Sequence, residues 1–341
     1  MADPRRLSPA AGAGLMDPLV RYLDAEIAAQ KHVDPFQRSP TFVSLLVPAL
    51  RAINAYFGAE VRGWEHVPKR GPFLVVGNHS GGAEPADLYF FLLRWIEDRG
   101  PEAPLYALAY DLMFGNPVIG PLLRWSGCIP ANPENARKAL ARGAGVVVFP
   151  GGDYEVFRPW TERNRIEFGG RTGFVKLALS TGVPVVPMTI HGAHQSTFVL
   201  TRGRRLARVM GIDRLNVNVF PLIWNIPLGL MPAAVPSVQL PAKVTVQIGR
   251  PLRWARYGKK AACDETVVRQ CYDEITRTMQ ETLDELDAEH PYPILERLQE
   301  LSPTRVLAQV PAWLAGSTPP SRRRTTKRGR NSFPGSWSGW R

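Results

Sequence analysis

Short apolar runs that end at turn residues constrain the fold of this chain more than any other feature. Four such runs occur, at Phe73–Gly77, Leu105–Ala109, Val146–Phe149 and Val185–Ile190. Runs of this length are typical of strands that are buried on both faces of a sheet. Segments with helical character separate them, at 88–97, 134–141 and 173–179. The sequence therefore predicts an α/β domain with a largely parallel central sheet flanked by helices.

Four regions are predicted along the 341 residues. Residues 1–58 form an N-terminal helical segment, whose apolar stretch at 42–57 either lies at a lipid interface or packs on the core. The α/β domain covers 59–255, a C-terminal helical extension covers 256–302, and a basic tail of low complexity covers 303–341. A chain of this length buries a sufficient core without a disulfide or a structural metal.

The positive charge of the chain is concentrated at its C-terminus. The formal net charge is +12 at pH 7, and residues 321–341 carry seven basic side chains and no acid. Without these seven the net charge is +5, so the rest of the chain is only mildly basic. Such a tail suits an anionic surface, either membrane phosphate or nucleic acid, or it is a solvated terminus without a partner.

The sequence contains no segment that predicts insertion into a membrane or export. No stretch of about 18 apolar residues occurs, so no transmembrane helix is predicted. The first ten residues include Asp3 and lack a continuous apolar core, which argues against a signal peptide. The three cysteines are widely spaced, without a CxxC pair, and fit a reducing compartment. The expected location is cytoplasmic.

A histidine with two nearby acids follows the first buried run. His79 comes two residues after Gly77, and Glu84 and Asp87 lie near the start of the next predicted helix. A carboxylate that accepts a hydrogen bond from one imidazole nitrogen leaves the other nitrogen to take a proton. Either acid is a candidate partner for a histidine base. In the alternative interpretation the acids only cap the helix.

A second cluster follows the run at 146–149. It reads Phe149-Pro-Gly-Gly-Asp-Tyr-Glu155, and Arg158 comes three residues later. The amides of Gly151 and Gly152 either line an anion or oxyanion site or make an ordinary turn. Because ligand sites in α/β folds lie at the carboxyl ends of the strands, we expect this cluster and the histidine at the same edge of the sheet.

Two further segments have both a structural and a functional interpretation. His191 and His194 follow the run at 185–190 and look like a pair of metal ligands, but no third ligand at suitable spacing accompanies them. Loop histidines are therefore the preferred interpretation, and no metal is expected. The segment Trp224–Met231 is apolar and loop-like. It either contacts lipid or, as we prefer, packs beneath a long loop.

Four sequence blocks in a fixed order resemble a known enzyme superfamily. The blocks are Asn78-His79 with its acids, Gly127-Cys-Ile-Pro130, Phe149-Pro-Gly-Gly152 and Val183-Pro-Val-Val-Pro187, with 48, 22 and 34 residues between successive starts, counted from the histidine. In this order they resemble the lysophospholipid (glycerolipid) acyltransferase superfamily, the PlsC-like enzymes. The resemblance spans residues 60 to 255 and implies the fold of that superfamily for the α/β domain.

Two departures from the family pattern concern the acceptor. Glu84 stands at the strict His-x4-Asp position, whereas Pro85-Ala-Asp87 is similar to the Pro-x-Asp of a neutral-lipid branch, and we favour Asp87. The third block lacks the Glu and Thr-Arg of the family, and its Gly-Gly-x-x-Glu pattern, ending at Glu155, looks like the diacylglycerol acyltransferase branch. Gly151, Gly152 and Glu155 are expected to bind substrate, and Arg158 and Arg171 remain candidates for binding a phosphate, so the acceptor stays open.

The resemblance implies direct transfer of a fatty acyl group from acyl-CoA or acyl carrier protein to a lipid hydroxyl. In that mechanism His79 is the general base, Asp87 or Glu84 orients it, and the amides of Gly151 and Gly152 stabilise the oxyanion. No cofactor or metal is implied. The expected partners are a lipid acceptor and an anionic membrane surface, with the protein peripheral at the inner face. The alternative is an inactive acyltransferase fold that binds membrane or nucleic acid through its tail, although no specific nucleic acid is expected.

Overall fold

The structure is a computed structural model. It describes residues 32–79, 86–210, 219–225, 228–233 and 239–302. Residues 1–299 form one compact unit, and residues 300–341 form a second unit of which only the first three residues are described. Glu84, the first 31 residues and the basic tail at 303–341 therefore lie outside the described residues.

Ten strands are described. They are β1 (Glu60–Arg62), β2 (Phe73–Gly77), β3 (Leu105–Ala109), β4 (Cys128–Pro130), β5 (Gly145–Val148), β6 (Val185–His191), β7 (Phe198–Thr201), β8 (Leu222–Asn225), β9 (Gly229–Pro232) and β10 (Thr245–Ile248). Seven of them form the central sheet, in the order β1-β10-β6-β2-β5-β3-β4. The five strands from β6 to β4 are parallel, while β10 is antiparallel to β6 and parallel to β1. The predicted α/β fold with a largely parallel sheet is confirmed.

Ten α-helices accompany the strands in the described part of the chain. They are α1 (Pro40–Phe57), α2 (Ala86–Arg99), α3 (Asp111–Phe114), α4 (Ile119–Ser126), α5 (Pro133–Ala141), α6 (Gly152–Val156), α7 (Gly173–Thr181), α8 (Arg204–Val209), α9 (Glu265–Glu289) and α10 (Pro293–Glu300). The helices predicted at 88–97, 134–141 and 173–179 correspond to α2, α5 and α7. Among the described residues, no helix has the length and apolar character needed to cross a membrane.

Both faces of the central sheet are buried, because the apolar residues of β2 alternate between two hydrophobic layers. Phe73 and Val75 pack in one layer with α1 and α2, and Leu74 and Val76 pack in the other with α5, α7 and α9. This double burial explains why the strands read as continuous apolar runs. Helix α1 buries Val43, Leu50 and Phe57, at a spacing of seven residues, so part of the predicted interfacial segment packs on the core.

The remaining three strands form a small antiparallel sheet in the order β7-β8-β9. Strands β8 and β9 make a hairpin in which Trp224 pairs with Leu230 and Asn225 with Gly229. The loop-like interpretation of 224–231 is therefore wrong. The apolar residues of this segment do not all pack inward either. A sheet that is covered on one face leaves every second side chain on its uncovered face.

Candidate active site

A histidine–aspartate pair lies at the carboxyl end of β2. His79 follows the strand by two residues, and Asp87 is in the first turn of α2. The His79 Nδ1 atom is 3.0 Å from Asp87 Oδ2, and Asp87 Oδ1 accepts a hydrogen bond from the Leu88 amide. The Asp87 side chain is fully buried. The helix start favours a carboxylate here, because its backbone N–H groups and dipole stabilise negative charge.

The imidazole ring is held from one side by an aromatic ring. His79 stacks on Phe149, with 4.7 Å between ring centroids and an interplanar angle of 24°. Phe149, predicted to end a strand, lies one residue beyond β5. Gly77 permits this stacking, since a Cβ atom there would lie 2.7 Å from the Phe149 ring and equally close to Met188.

One nitrogen of His79 is left for a substrate. The Nδ1 atom faces Asp87, so in the neutral ring Nδ1 carries the proton and Nε2 is the acceptor. Among the described residues Nε2 has no hydrogen-bond partner, and the side chain is 18% exposed. The arrangement can therefore take a proton from a bound hydroxyl.

The electrostatic surroundings favour the protonated ring. Burial lowers the pKa of His79, but the charge of Asp87, its hydrogen bond and the charge of Glu155 raise it by more, so the pKa stands above its ordinary value. A base with a raised pKa accepts a proton more readily, provided that the pH is high enough to keep it neutral.

Glu155 and Arg158 hold the backbone of His79 on both sides. Glu155 Oε2 accepts a hydrogen bond of 2.8 Å from the His79 amide, and Arg158 donates one of 2.9 Å to the His79 carbonyl. Glu155 Oε1 also accepts from the Glu167 amide at 3.2 Å. Arg158 makes further hydrogen bonds to the carbonyls of Glu155 and Arg163. Both side chains thus position the histidine.

The burial of Glu155 and Arg158 also determines which chemical roles these side chains can have. Glu155 is fully buried and Arg158 is 1% exposed, with 3.7 Å between Glu155 Oε1 and Arg158 Nη1. Burial raises the pKa of Glu155 to about 7, against the opposing effect of the Arg158 charge and the amide donors. Because its guanidinium is enclosed and bonded to three carbonyl oxygens, the interpretation of Arg158 as a phosphate ligand is not supported.

The two glycines and Arg171 lie together at the start of α6. The Gly152 amide donates to the Phe149 carbonyl, whereas the Gly151 amide has no partner in the part of the chain that the structure describes. Arg171 donates to the carbonyls of Pro150 and Gly151 and forms an ion pair of 2.9 Å with Asp153. Of the two predicted oxyanion donors, only Gly151 therefore has an available N–H group.

Asn78 has a structural role that the sequence analysis does not assign. Its side chain is fully buried and makes two hydrogen bonds to Ile190 of β6, accepting from the amide at 2.7 Å and donating to the carbonyl at 2.9 Å. This amide bridge fixes the end of β2 directly before His79. The only sequence signal is a polar residue immediately after a buried strand.

His191, the last residue of β6, and His194 do not point to a shared metal. His191 Nε2 is 3.2 Å from Asp287, and His194 Nε2 is 2.9 Å from the carbonyl of Arg158. Burial lowers the pKa of both histidines. Among the residues described, no group of three or more His, Cys, Asp and Glu side chains has the arrangement of a metal site.

The fold and this edge of the sheet define an α/β protein with a histidine–carboxylate pair suited to general base chemistry. The family model described as Acyltransferase matches residues 58–191. An uncharacterized protein of Mycobacterium tuberculosis is 33% identical over 274 residues, which cover 80% of this chain and 74% of that protein. The chain therefore belongs to the Acyltransferase family, as the sequence blocks predict.

Two other similar proteins carry functional names. The human "DGAT1/2-independent enzyme synthesizing storage lipids" is 29% identical over 175 residues, which cover 51% of this chain and 52% of that enzyme. The crystal structure of the 1-acyl-sn-glycerophosphate (LPA) acyltransferase PlsC from Thermotoga maritima is 18% identical, with a TM-score of 0.42, over 80% of this chain and 98% of that one.

Proposed function

We propose that this protein transfers a fatty acyl group from an acyl thioester to the hydroxyl of a lipid acceptor. The observation that carries the proposal is the 3.0 Å contact between His79 Nδ1 and Asp87 Oδ2, in a chain of the Acyltransferase family. This contact leaves Nε2 without a hydrogen-bond partner among the described residues. The acyl donor in this proposal is acyl-CoA or acyl carrier protein, and no cofactor takes part.

The reaction needs one proton transfer in each direction. His79 Nε2 takes the proton of the acceptor hydroxyl while its oxygen attacks the thioester carbonyl, and a C–O bond forms. When the tetrahedral intermediate collapses, the C–S bond breaks and the imidazolium returns the proton to the leaving thiolate. Asp87 stabilises the imidazolium between these steps, because its charge and hydrogen bond favour the protonated ring. Glu84 is then not required as a partner.

The oxyanion of the intermediate needs donors that are not already bonded. The Gly151 amide meets this condition and the Gly152 amide does not, because the latter donates to Phe149. We therefore assign Gly151 to oxyanion stabilisation. Glu155 and Arg158, which the sequence predicts as substrate ligands, act as positioning residues for His79 in this scheme.

A neutral acceptor fits the charges near His79 better than a phosphate-bearing one. Arg158 is enclosed, and Arg171 already forms an ion pair with Asp153 and donates to two carbonyls. A phosphate would have to compete with Asp153 for the Arg171 guanidinium. The name of the human relative, which refers to storage lipids, is consistent with a neutral acceptor.

The test is acyl transfer from radiolabelled long-chain acyl-CoA, and separately from acyl carrier protein, to a panel of acceptors. The panel contains monoacylglycerol, diacylglycerol, a fatty alcohol, lysophosphatidate and another lysophospholipid. We expect product with the neutral acceptors. Product only with phosphate-bearing acceptors, lost in Arg171→Gln, would overturn the neutral assignment. No product with any donor would favour an inactive fold that binds membrane or nucleic acid.

The pH dependence of the reaction is a further prediction. Only the neutral imidazole accepts a proton, so kcat/KM is expected to rise with pH through a pKa above the ordinary 6.5 of histidine. Asp87→Asn removes a charge that raises this pKa, so the rising limb should move to lower pH while its plateau falls. Pre-steady-state rates across the pH range measure both. If the rising limb of the pH profile stays at the same pH in Asp87→Asn, the pairing of Asp87 with His79 is contradicted. Glu134→Gln on α5 is the control and should leave the profile unchanged.

A further inference from the structure

The small sheet and helix α8 carry large apolar side chains that no other described part of the protein covers. The hairpin surface, as we name it, consists of exposed residues on β7, α8, β8 and β9 and at the hairpin tip, namely Leu200, Leu206, Val209, Trp224, Leu228 and Leu230. Trp224 is 51% exposed, Leu228 65% and Leu230 58%. Isolated exposed apolar residues are common, but a group of this size on successive elements of the chain marks an interaction surface.

The pairing of the strands places the exposed residues of β8 and β9 next to one another. Val199 and Ile223 are buried and pack with Phe157 on the inner face of the small sheet. Trp224 lies opposite Leu230 on one side and opposite Phe198 on the other, so these residues share the outer face. The outer face is therefore a row of neighbouring apolar side chains across three strands.

The described segments that carry the hairpin surface contain only positive charges. Residues 198–210, 219–225 and 228–233 contain four arginines and no acid. Arg202 is paired with Glu162 and Glu167, and Arg204 lies over the ring of Tyr154. Arg205 and Arg208 are exposed on α8 and form no ion pair among the described residues. Two unneutralised cations thus lie on the helix that directly follows β7.

We propose that the hairpin surface binds the surface of a lipid bilayer that contains anionic lipids. Tryptophan and leucine side chains enter the boundary between head groups and acyl chains, and arginines bind the lipid phosphates. Both kinds of residue are exposed on β7, α8, β8 and β9. Lipid binding by the hairpin surface is independent of the proposed acyl transfer, because vesicle binding is measured without turnover.

The charge distribution distinguishes this surface from the exposed apolar residues of α1 and α4. Helices α1 and α4 expose Leu45, Leu122 and Trp125, among others, but Arg124 of α4 is buried. Helix α4 therefore offers no exposed cation to pair with a lipid phosphate, and Arg51 of α1 is already paired with Glu97. We therefore assign binding to anionic lipid to the hairpin surface and use α4 as a control.

The hairpin surface is also next to the candidate active site. Arg202 Nε donates to the carbonyl of Tyr154 at 3.1 Å, and the guanidinium groups of Arg202 and Arg204 both lie over the Tyr154 ring. Tyr154 is the neighbour in sequence of Glu155, which binds the His79 amide. A bilayer docked here lies close to the edge at which His79 is exposed, where a lipid acceptor is needed.

The experiment is flotation of the full-length protein with phosphatidylcholine vesicles, with and without phosphatidylglycerol. We expect Arg205→Gln/Arg208→Gln to weaken binding to the anionic vesicles about tenfold or more, since each arginine near such a surface contributes roughly fivefold. Arg137→Gln, an exposed arginine of α5, is the matched control and should bind as the wild type does. The full chain keeps the basic tail, so its contribution is equal in every variant.

A second pair of variants tests the apolar row. Trp224→Ser/Leu230→Ser should weaken binding about tenfold or more, whereas Leu122→Ser/Trp125→Ser on α4 should not. Unfolding midpoints identify any variant that fails to fold. If Trp224→Ser/Leu230→Ser fails to fold, Arg205→Gln/Arg208→Gln still decides the test. Wild-type binding by both hairpin variants would overturn the inference and assign lipid binding to the tail or to α4. His79→Gln should bind vesicles normally, which separates docking from acyl transfer.

Discussion

Replacing His79 by glutamine is expected to lower kcat/KM for acyl transfer by about 10²–10⁴-fold, the usual contribution of a general base. Glutamine keeps a polar side chain of similar length but cannot accept a proton at neutral pH. The backbone amide and carbonyl at this position still bind Glu155 and Arg158, so the fold is expected to remain. Single-turnover rates with a saturating acceptor measure the chemical step.

The carboxylate variants decide which acid works with the histidine. Asp87→Asn should lose most of the activity, because an uncharged amide at this position cannot stabilise the imidazolium as a carboxylate does. Glu84→Gln should keep activity within a few fold. The double variant His79→Gln/Asp87→Asn should be no slower than His79→Gln alone, since residues that act as a unit are not additive.

Control variants show whether the loss of activity is specific to His79. His32→Gln changes an exposed histidine and should have no effect. If His79→Gln retained wild-type rates, the general base assignment would be wrong, and the proposed function would lose its main support. A loss of activity in Glu84→Gln equal to that in Asp87→Asn would instead mean that both acids contribute.

The sequence predicts the sheet well because burial leaves a local signature. The run Phe73–Gly77 is apolar at four successive positions, which is typical of a strand covered on both faces, and its turn residues mark the end. That end locates His79 at the carboxyl edge. Asp87 is eight residues further along the chain, so their contact is also local enough to anticipate.

The residues that hold His79 in position have no such local signature in the sequence. Asn78 bonds to Ile190, which is 112 residues away, and Glu155 bonds to the His79 amide across 76 residues. Only the three-dimensional arrangement brings these groups together. The same reason explains why Arg158 looks like a surface ligand in the sequence and is enclosed in the structure. Exposure depends on long-range packing.

Glu155→Gln is expected to lower the free energy of unfolding by about 1–3 kcal/mol, because it leaves one of the buried backbone amides that Glu155 binds without an acceptor. The glutamine oxygen can replace one acceptor, but its NH₂ group cannot accept from the second amide, so either His79 or Glu167 loses a hydrogen bond. Urea unfolding measures the loss. Glu162→Gln, which breaks a partly exposed pair with Arg202, should cost only about 0–1 kcal/mol.

The same variant should change the pH dependence of stability. The pKa of Glu155 is raised from 4.5 to about 7 on folding, so the folded state binds its proton more tightly than the unfolded state does. The stability from this group is complete below pH 4.5 and is lost as the pH rises through about 7. The difference in unfolding free energy between wild type and Glu155→Gln should therefore decrease over that range.

Arg158→Met removes the other charge of the pair. The Arg158 charge is the largest influence that lowers the pKa of Glu155, and without it only the two backbone amides and the His79 charge act in that direction. The pKa of Glu155 therefore rises further, and the loss of stability is greater at pH 8 than at pH 6. Glu155→Gln/Arg158→Met should cost less than the two single variants together, because neither charge is left unpaired. If the costs are additive, Glu155 and Arg158 do not act as a pair. Activity should fall in kcat rather than in KM, since both residues act by positioning His79.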